Sequence, residues 1–403
     1  MRRGISIMMT RSLRIAKIWN IPIGLHWSWF IVFFLVTYSL AAGVFPEKYA
    51  GLSEGSYWTL AAVTSVLFFS SVLLHELGHT FVALRYGVPV REINLFIFGG
   101  VAVLTKESPS AKAEFWIAIA GPIVSFALAF IFAGLWLASG GFVYLAIPMM
   151  FLAGINFMLA AFNLIPGFPL DGGRVLRAVI WWIKGDRYQA TRVASAAGQF
   201  VAFAFIAYGV FNILQGNLFG GLWIAFIGWF LQNAAAAALQ QSNLEHALRG
   251  VRVRDAMCGQ FQFVERDATL QQLFDERLLR GSSREFFVTG NTRLIGLITL
   301  TDVAKTPREH WSRTTVESVM KPIEEIITVA PDVSLLDALG QMDARRVTQL
   351  PVIENGALLG LLSRERVLHQ IYLRTLPGVG TKEHQRREPQ SPPDFALAGG
   401  GSK

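Results

Sequence analysis

Long apolar stretches alternate with short polar ones over the first 240 residues of the chain, and the stretches exceed what a soluble core requires. A helix that crosses the hydrocarbon layer of a membrane needs about 20 mostly apolar residues. Six segments meet that need: roughly 19–43, 57–84, 113–138, 142–165, 193–214 and 219–240. The interval 85–112 is not a plain loop. Ile93-Asn94-Leu95-Phe96-Ile97-Phe98-Gly99-Gly100-Val101-Ala102-Val103-Leu104 holds two short β-rich runs around Gly99-Gly100, which predicts a hairpin. That hairpin either dips into the membrane beside a protein cavity, where irregular backbone is tolerated, or lies on the surface. After about residue 245 the pattern changes to short alternating runs with mixed charge. The expected fold is a multi-pass α-helical membrane protein of about six transmembrane helices followed by a water-soluble α/β module.

The soluble part repeats itself. Arg254-Asp255-Ala256-Met257 recurs as Glu317-Ser318-Val319-Met320, Ala268-Thr269-Leu270 as Val333-Ser334-Leu335, Phe286-Phe287-Val288 as Leu350-Pro351-Val352, and Leu294-Ile295-Gly296-Leu297-Ile298-Thr299 as Leu358-Leu359-Gly360-Leu361-Leu362-Ser363. The offset is 63–65 residues, and each copy reads strand, helix, strand, strand, helix. The chain thus divides into a membrane part (1–245), two repeats (246–310 and 311–376) and a tail (377–403). The tail is rich in Gly, Pro, Ser and charge, which predicts disorder.

Composition sharpens this division. With 53% hydrophobic and 16% charged residues, the chain is neither a purely soluble protein nor a disordered one. A net charge of +8 would suggest nucleic acid in a soluble protein. Here no basic stripe with interleaved aromatics exists, and the cations gather in alternate loops. Arg2, Arg3, Arg11, Arg14 and Lys17 precede the first span. Arg85, Arg91, Lys106 and Lys112 follow the second, and Arg174, Arg177, Lys184, Arg187 and Arg192 follow the fourth. Cytoplasmic loops collect Lys and Arg, so the bias predicts a cell-membrane protein with both termini and the α/β module in the cytoplasm. The single cysteine, Cys258, excludes an intrachain disulfide and fits that compartment. The basic segment Met1–Lys17 leads into an apolar run longer than a signal-peptide core, so it reads as preceding a retained first span.

Chemistry concentrates in the second span. His75-Glu76-Leu77-Gly78-His79 puts two imidazoles one helical turn apart on one face, where both reach a single metal ion. Zn²⁺ suits imidazole and carboxylate ligands, and Glu76 beside it would act as general base for a bound water. Packed polar residues are the bland alternative, but two histidines and a glutamate in hydrocarbon are costly and mark function. A catalytic zinc needs a third protein ligand and an open position. Asp171 is the candidate. It follows Pro166, Gly167 and Pro169, which open the backbone after the fourth span. It also falls near the cytoplasmic end of its span, the depth at which Arg85 puts the histidines. A helix cap is its alternative role.

His75-Glu76-Leu77-Gly78-His79 taken with Asn163-Leu164-Ile165-Pro166-Gly167-Phe168-Pro169-Leu170-Asp171-Gly172-Gly173-Arg174 resembles the site-2 protease family of intramembrane zinc metalloproteases. The stretch Ile21–Ser28, Phe98-Gly99-Gly100 and Ala120-Gly121-Pro122 are similar to that family as well. The resemblance covers about residues 18–240 and implies one catalytic zinc held by His75, His79 and Asp171, with Glu76 as catalytic base. It also implies that Asn163 hydrogen-bonds the substrate backbone or stabilises the oxyanion. The substrate it implies is a membrane-anchored protein, cut within its transmembrane segment near the cytoplasmic side. His26 matches the family pattern without being a ligand there; packing or a bond to a helix is its expected role.

The repeats resemble a tandem pair of CBS domains. In Gly296-Leu297-Ile298-Thr299-Leu300-Thr301-Asp302 that resemblance implies that Thr299 reaches the phosphate and Asp302 the ribose of an adenine nucleotide. The second copy keeps Ser363 but has Arg366 where the aspartate falls, which weakens ribose recognition there. A dimerisation module without a ligand is the alternative, and CBS pairs often self-associate into homodimers. A CBS-regulated membrane transporter or channel would explain the spans and the module. It leaves the metal pattern and Asp171 without a role. An inactive binding protein of protease descent is at odds with an intact Glu76.

Overall fold

The structure is a computed structural model. It describes residues 12–375 apart from 98, 260–261, 279–284, 291–292, 346 and 356. The tail expected to be disordered, and Phe98 of the hairpin, lie outside the described residues. The chain forms two compact units that meet in sequence between Ser242 and Asn243.

The first unit begins with a sheet. β1 (Ser12–Ile18) and β2 (Ile21–His26) pair antiparallel through a tight turn at Trp19 and Asn20, both at positive φ. β2 runs parallel to β3 (Val90–Phe96), which pairs antiparallel with β4 (Gly99–Leu104), giving the order β1-β2-β3-β4. The hairpin expected around Gly99-Gly100 is present as half of this sheet. The first span is corrected: residues 19–26 are turn and strand, and the helix starts at Trp27. Pro22 and Gly24 disfavour helix, and the strand is buried along nearly its whole length, with only Pro22 partly exposed, so its apolar run reads like a helix segment by pattern alone. His26 caps the helix, its Nδ1 accepting the Ser28 backbone N–H at 3.2 Å and bonding Ser28 Oγ at 2.8 Å.

Among the described residues, six helices are long and apolar enough to cross a membrane: α1 (Trp27–Lys48, with a π turn at Leu40–Val44), α2 (Glu54–Arg85), α3 (Ala111–Ala138), α4 (Val143–Asn163), α6 (Arg187–Leu214) and α7 (Leu218–Ala247). Between α4 and α6 lies the shorter amphipathic helix α5 (Asp171–Lys184). Phe130, Leu137, Phe200, Leu214 and Phe219 are each at least 70% exposed on these helices. Large apolar side chains so exposed fit a surface solvated by lipid. Ser53 and Ser110 start α2 and α3 by accepting the N–H groups of Ser56 and Ala113, each at 3.2 Å.

The second unit holds the two repeats. In the first, β5 (Gln262–Glu265) runs parallel to β6 (Glu285–Gly290), and β7 (Arg293–Thr299) lies antiparallel to β6 and to β8 (Lys321–Pro322). In the second, β9 (Gln349–Glu354) pairs antiparallel with β10 (Ala357–Ser363), and Val329 bridges Val352 in parallel. The helices are α8 (Val253–Ala256), α9 (Leu270–Leu273), α10 (Leu300–Val303), α11 (Val316–Val319), α12 (Leu335–Arg345) and α13 (Arg364–Thr375). The first copy has the order expected from the repeat; in the second the leading strand is reduced to the Val329–Val352 bridge, and the lead-in segments of the two copies are exchanged. Leu248, Val251, Val253 and Ala256 bury themselves among Leu335, Ala338, Leu350 and Leu362 of the second copy, with Leu335 N–H donating to Val251 O. Trp311 and Val316 pack among Leu270, Phe286 and Ile298 of the first, with Val316 N–H donating to Ala268 O. Phe287, Leu294, Leu297 and Leu358 close the seam between the copies.

Candidate metal centre

α2 delivers His75 and His79 from one face, both buried, and α5 delivers Asp171 as its first residue. His79 Nε2 lies 3.1 Å from Asp171 Oδ2, His75 Nε2 lies 3.2 Å from the same oxygen, and the two nitrogens are 3.2 Å apart. The helix-cap role for Asp171 is not the one adopted: the N-cap of α5 is Leu170, and the aspartate faces the imidazoles.

The partners of the other ring nitrogens decide what this triangle can hold. His79 Nδ1 lies 2.6 Å from the carbonyl oxygen of Ile117 on α3, which can only accept, so Nδ1 carries the proton. His75 Nδ1 lies 2.9 Å from Ser125 Oγ on the same helix. A neutral His79 therefore turns the lone pair of Nε2 toward a carboxylate oxygen at 3.1 Å, which is repulsive unless a cation joins them. Ligand atoms about 2.0–2.1 Å from a tetrahedral ion stand roughly 3.3 Å apart, so the three short edges match one face of a zinc tetrahedron. No other group of three or more His, Cys, Asp or Glu side chains with metal-ligand spacing occurs among the described residues.

Two close approaches shape the surroundings. Gly121 of α3 lies against the imidazoles: a Cβ there would collide with His79 Nε2 and stand 2.6 Å from His75 Nε2. Gly100 of β4 lies against Glu76: a Cβ there would collide with Cγ and stand 3.1 Å from Oε1. The sheet therefore passes over the half-buried glutamate that follows His75 in sequence. Asn163 ends α4, half-buried, at the start of the loop that leads to Asp171. That loop is tied to α6, with Phe168 N–H donating to Ala194 O at 3.1 Å and Gly198 so close to Phe168 O that a side chain there would collide with it.

Sequence reasoning did not single out Ile117, Ser125, Glu114 or Arg177, all of which support the site. Glu114 is wholly buried in the first turn of α3 and pairs with Arg177 of α5, whose Nε donates to Glu114 Oε1 at 2.9 Å. A lone acid at the edge of an apolar span was the available signal.

In the second unit Thr299 and Asp302 come together at the start of α10. Thr299 Oγ1 donates to Asp302 Oδ2 at 2.6 Å, and Lys305 Nζ donates to Asp302 Oδ1 at 2.8 Å, with Lys321 Nζ 4.0 Å away. Burial raises the Asp302 carboxyl, but the bonds from Lys305 and Thr299 prevail and hold it below its ordinary value. In the second copy Ser363 Oγ accepts the Arg366 backbone N–H at 3.3 Å, and the Arg366 guanidinium donates to Cys258 Sγ at 3.2 Å.

Comparison with known proteins bears on both units. The model of peptidase family M50 matches residues 63–148 and 142–209, and that of the CBS domain matches 253–309 and 316–373. A zinc metalloprotease of Methanocaldococcus jannaschii, MJ0392, is 30% identical over 372 residues, covering 91% of this chain and 98% of its own. The candidate zinc metalloprotease Rip3 of Mycobacterium tuberculosis is 34% identical over 374 residues, covering 90% and 93%. Among solved structures, a site-2 protease from Methanocaldococcus jannaschii is 33% identical, covers 57% of this chain and 95% of its own, and superposes with a TM-score of 0.40.

Proposed function

The chain belongs to peptidase family M50, the site-2 protease family of zinc metalloproteases, and carries a tandem CBS pair; we propose that it cleaves membrane-anchored proteins within their transmembrane segments near the cytoplasmic side. The observation that carries this reading is the triangle of His75 Nε2, His79 Nε2 and Asp171 Oδ2 on helices long enough to span a membrane, with Glu76 beside it.

A zinc ion held by His75, His79 and Asp171 would supply a Lewis acid that polarises the scissile carbonyl and lowers the pKa of water toward about 7. The chain's own groups do the rest. Glu76 accepts the water proton and passes it to the leaving amide nitrogen. Asn163 offers an amide N–H to the substrate backbone or to the developing oxyanion. A helical substrate hides its carbonyls in its own bonds, so it unwinds before cleavage. β4 ends the sheet order and runs past Glu76, so the unwound segment pairs along its free edge.

The rest of the proposal concerns placement and control. Residues 1–245 form the protease, and the copies 246–310 and 311–376 form the regulatory module. Both termini and the module are cytoplasmic, a reading supported by the cationic alternate loops. Thr299 and Asp302, with Lys305 and Lys321 beside them, bind an adenine nucleotide through phosphate and ribose, and Ser363 contributes more weakly from the second copy. The module also joins two copies of the chain, and a nucleotide that prefers one conformational state shifts cleavage.

The test pairs metal content with cleavage of a membrane-anchored reporter by full-length protein in lipid. Glu76→Gln keeps zinc and loses cleavage, whereas His79→Ala loses zinc. Cleavage at the wild-type rate by Glu76→Gln overturns the reading.

A further inference from the structure

One helix touches both imidazoles of the metal centre and an arginine of the helix that Asp171 begins. Glu114, Ile117, Gly121 and Ser125 of α3 are spaced by three, four and four residues, so they share one face. Ser125 bonds His75 Nδ1, the Gly121 backbone lies against both imidazoles, and Ile117 O receives His79 Nδ1–H. One turn further, Glu114 holds Arg177 of α5, the helix that Asp171 begins. The Arg177 guanidinium also lies 4.9 Å above the Phe168 ring, in the loop just before Asp171. Arg177 thus grips the carboxylate of one helix while covering the segment that delivers the third ligand.

The strength of this grip follows from burial. Glu114 has no exposed surface, and its Oε2 has no hydrogen-bond partner among the described residues. A buried carboxylate is tolerated only when paired, and among the described residues releasing Arg177 would leave it with only Arg174 Nε at 3.9 Å. α5 therefore cannot slide along α3 without exposing that cost. Arg177 converges two donors, Nε and a terminal nitrogen, on the single oxygen Oε1, a pair of bonds that a lysine's point charge does not reproduce.

We propose that the Glu114–Arg177 pair is a positioning device for the metal centre: it sets the height of α5 along α3 so that Asp171 Oδ2 meets the two imidazole nitrogens. The inference rests on reading His75, His79 and Asp171 as zinc ligands. Neither Glu114 nor Arg177 touches the metal or the substrate in this scheme. Both act through Asp171.

The experiment measures zinc affinity of purified full-length protein in detergent by competition with a chromophoric chelator, so that no substrate is involved. Glu114→Gln, Asp171→Ala and their combination form a cycle. Glu114→Gln weakens zinc by about 10–100-fold, the range of supporting-shell losses. In the Asp171→Ala background it has less than about a twofold effect, because the ligand it positions is gone. Wild-type affinity in Glu114→Gln, or the same fold loss in both backgrounds, overturns the proposal; the second result would mean general loosening of the fold. If Asp171→Ala itself leaves zinc affinity unchanged, the ligand assignment has failed and the proposal falls with it. Should Glu114→Gln not be recovered folded, Arg177→Lys replaces it. Its point charge keeps the cation but not the fork, so it gives a smaller loss with Asp171 present and none with Asp171→Ala. Equal losses in the two backgrounds overturn the proposal in that form as well.

Discussion

Replacing Gly121 by alanine sets two physical effects against each other. Within α3 the change favours the helix, since Ala exceeds Gly in helix propensity by about 1 kcal/mol. The new methyl group, however, would collide with His79 Nε2 and stand 2.6 Å from His75 Nε2, where ordinary contact begins at 3.4 Å. The ring of His75 must withdraw by the difference, 0.8 Å. Metal–ligand distances tolerate only about ±0.2 Å. Withdrawal also strains the bonds to Ser125 and Ile117, each contributing about 0.5–1.5 kcal/mol. Two strained bonds, together about 1–3 kcal/mol, match or exceed the propensity gain of about 1 kcal/mol, so folding stability falls by roughly 0–2 kcal/mol, while two of the three proposed ligands leave their places. Zinc affinity then falls by more than the roughly 100-fold upper range of supporting-shell changes. Zinc content by elemental analysis and chelator competition, beside thermal unfolding of the metal-free protein, makes the measurement. A Gly121→Ala protein that binds zinc as tightly as wild type would refute the reasoning, because the geometry leaves no room for both.

Gly100→Ala presses on Glu76 instead of the ligands, so zinc affinity stays at the wild-type level while kcat falls. The loss is bounded by the roughly 10²–10⁴-fold cost of removing a general base, and a parallel loss of zinc would contradict the separation of the two sites. Asp302 gives a pH dependence. Its folded value is depressed, so its stabilisation is present above the ordinary carboxylate range and fades as pH falls through that depressed value. Hydrogen exchange on the full-length protein should show protection around α10 and β7 decreasing below roughly pH 4, and Asp302→Asn should remove that pH-dependent part. Thr299→Ala should weaken adenine-nucleotide binding by about 10-fold in calorimetric titration, the worth of one bond to a charged phosphate, and Ser363→Ala by less. Equal losses would assign the two copies equal roles.

Much of the site was readable from spacing because local geometry fixes it. His75 and His79 are four residues apart on a helix, and no tertiary information is needed to put them on one face. Asp171 was readable because Pro166, Gly167 and Pro169 stop a helix wherever they occur. The support from Ile117 and Ser125 was not, since a carbonyl or hydroxyl 38 or 50 residues away carries no mark of what it will meet. The start of the first span was misplaced for a different reason. Ile21 to His26 is mostly apolar and buried without alternation, and its strand character shows only in its pairing with β1 and β3. The exchange of lead-in segments was equally hidden. A repeat reports that Val253 and Val316 are equivalent, not which copy each one packs against.

If His75, His79 and Asp171 hold the metal as proposed, the bond from Phe168 to Ala194, with Gly198 against the Phe168 carbonyl, gives α6 a part in metal retention although it donates no ligand. A truncated version ending after α5 would keep all three donors and Glu76, yet the segment that orients the aspartate would lose its clamp. On that reading a catalytic fragment has to extend past Gly198, and a shortened version cut beyond that helix should keep more zinc than one cut before it.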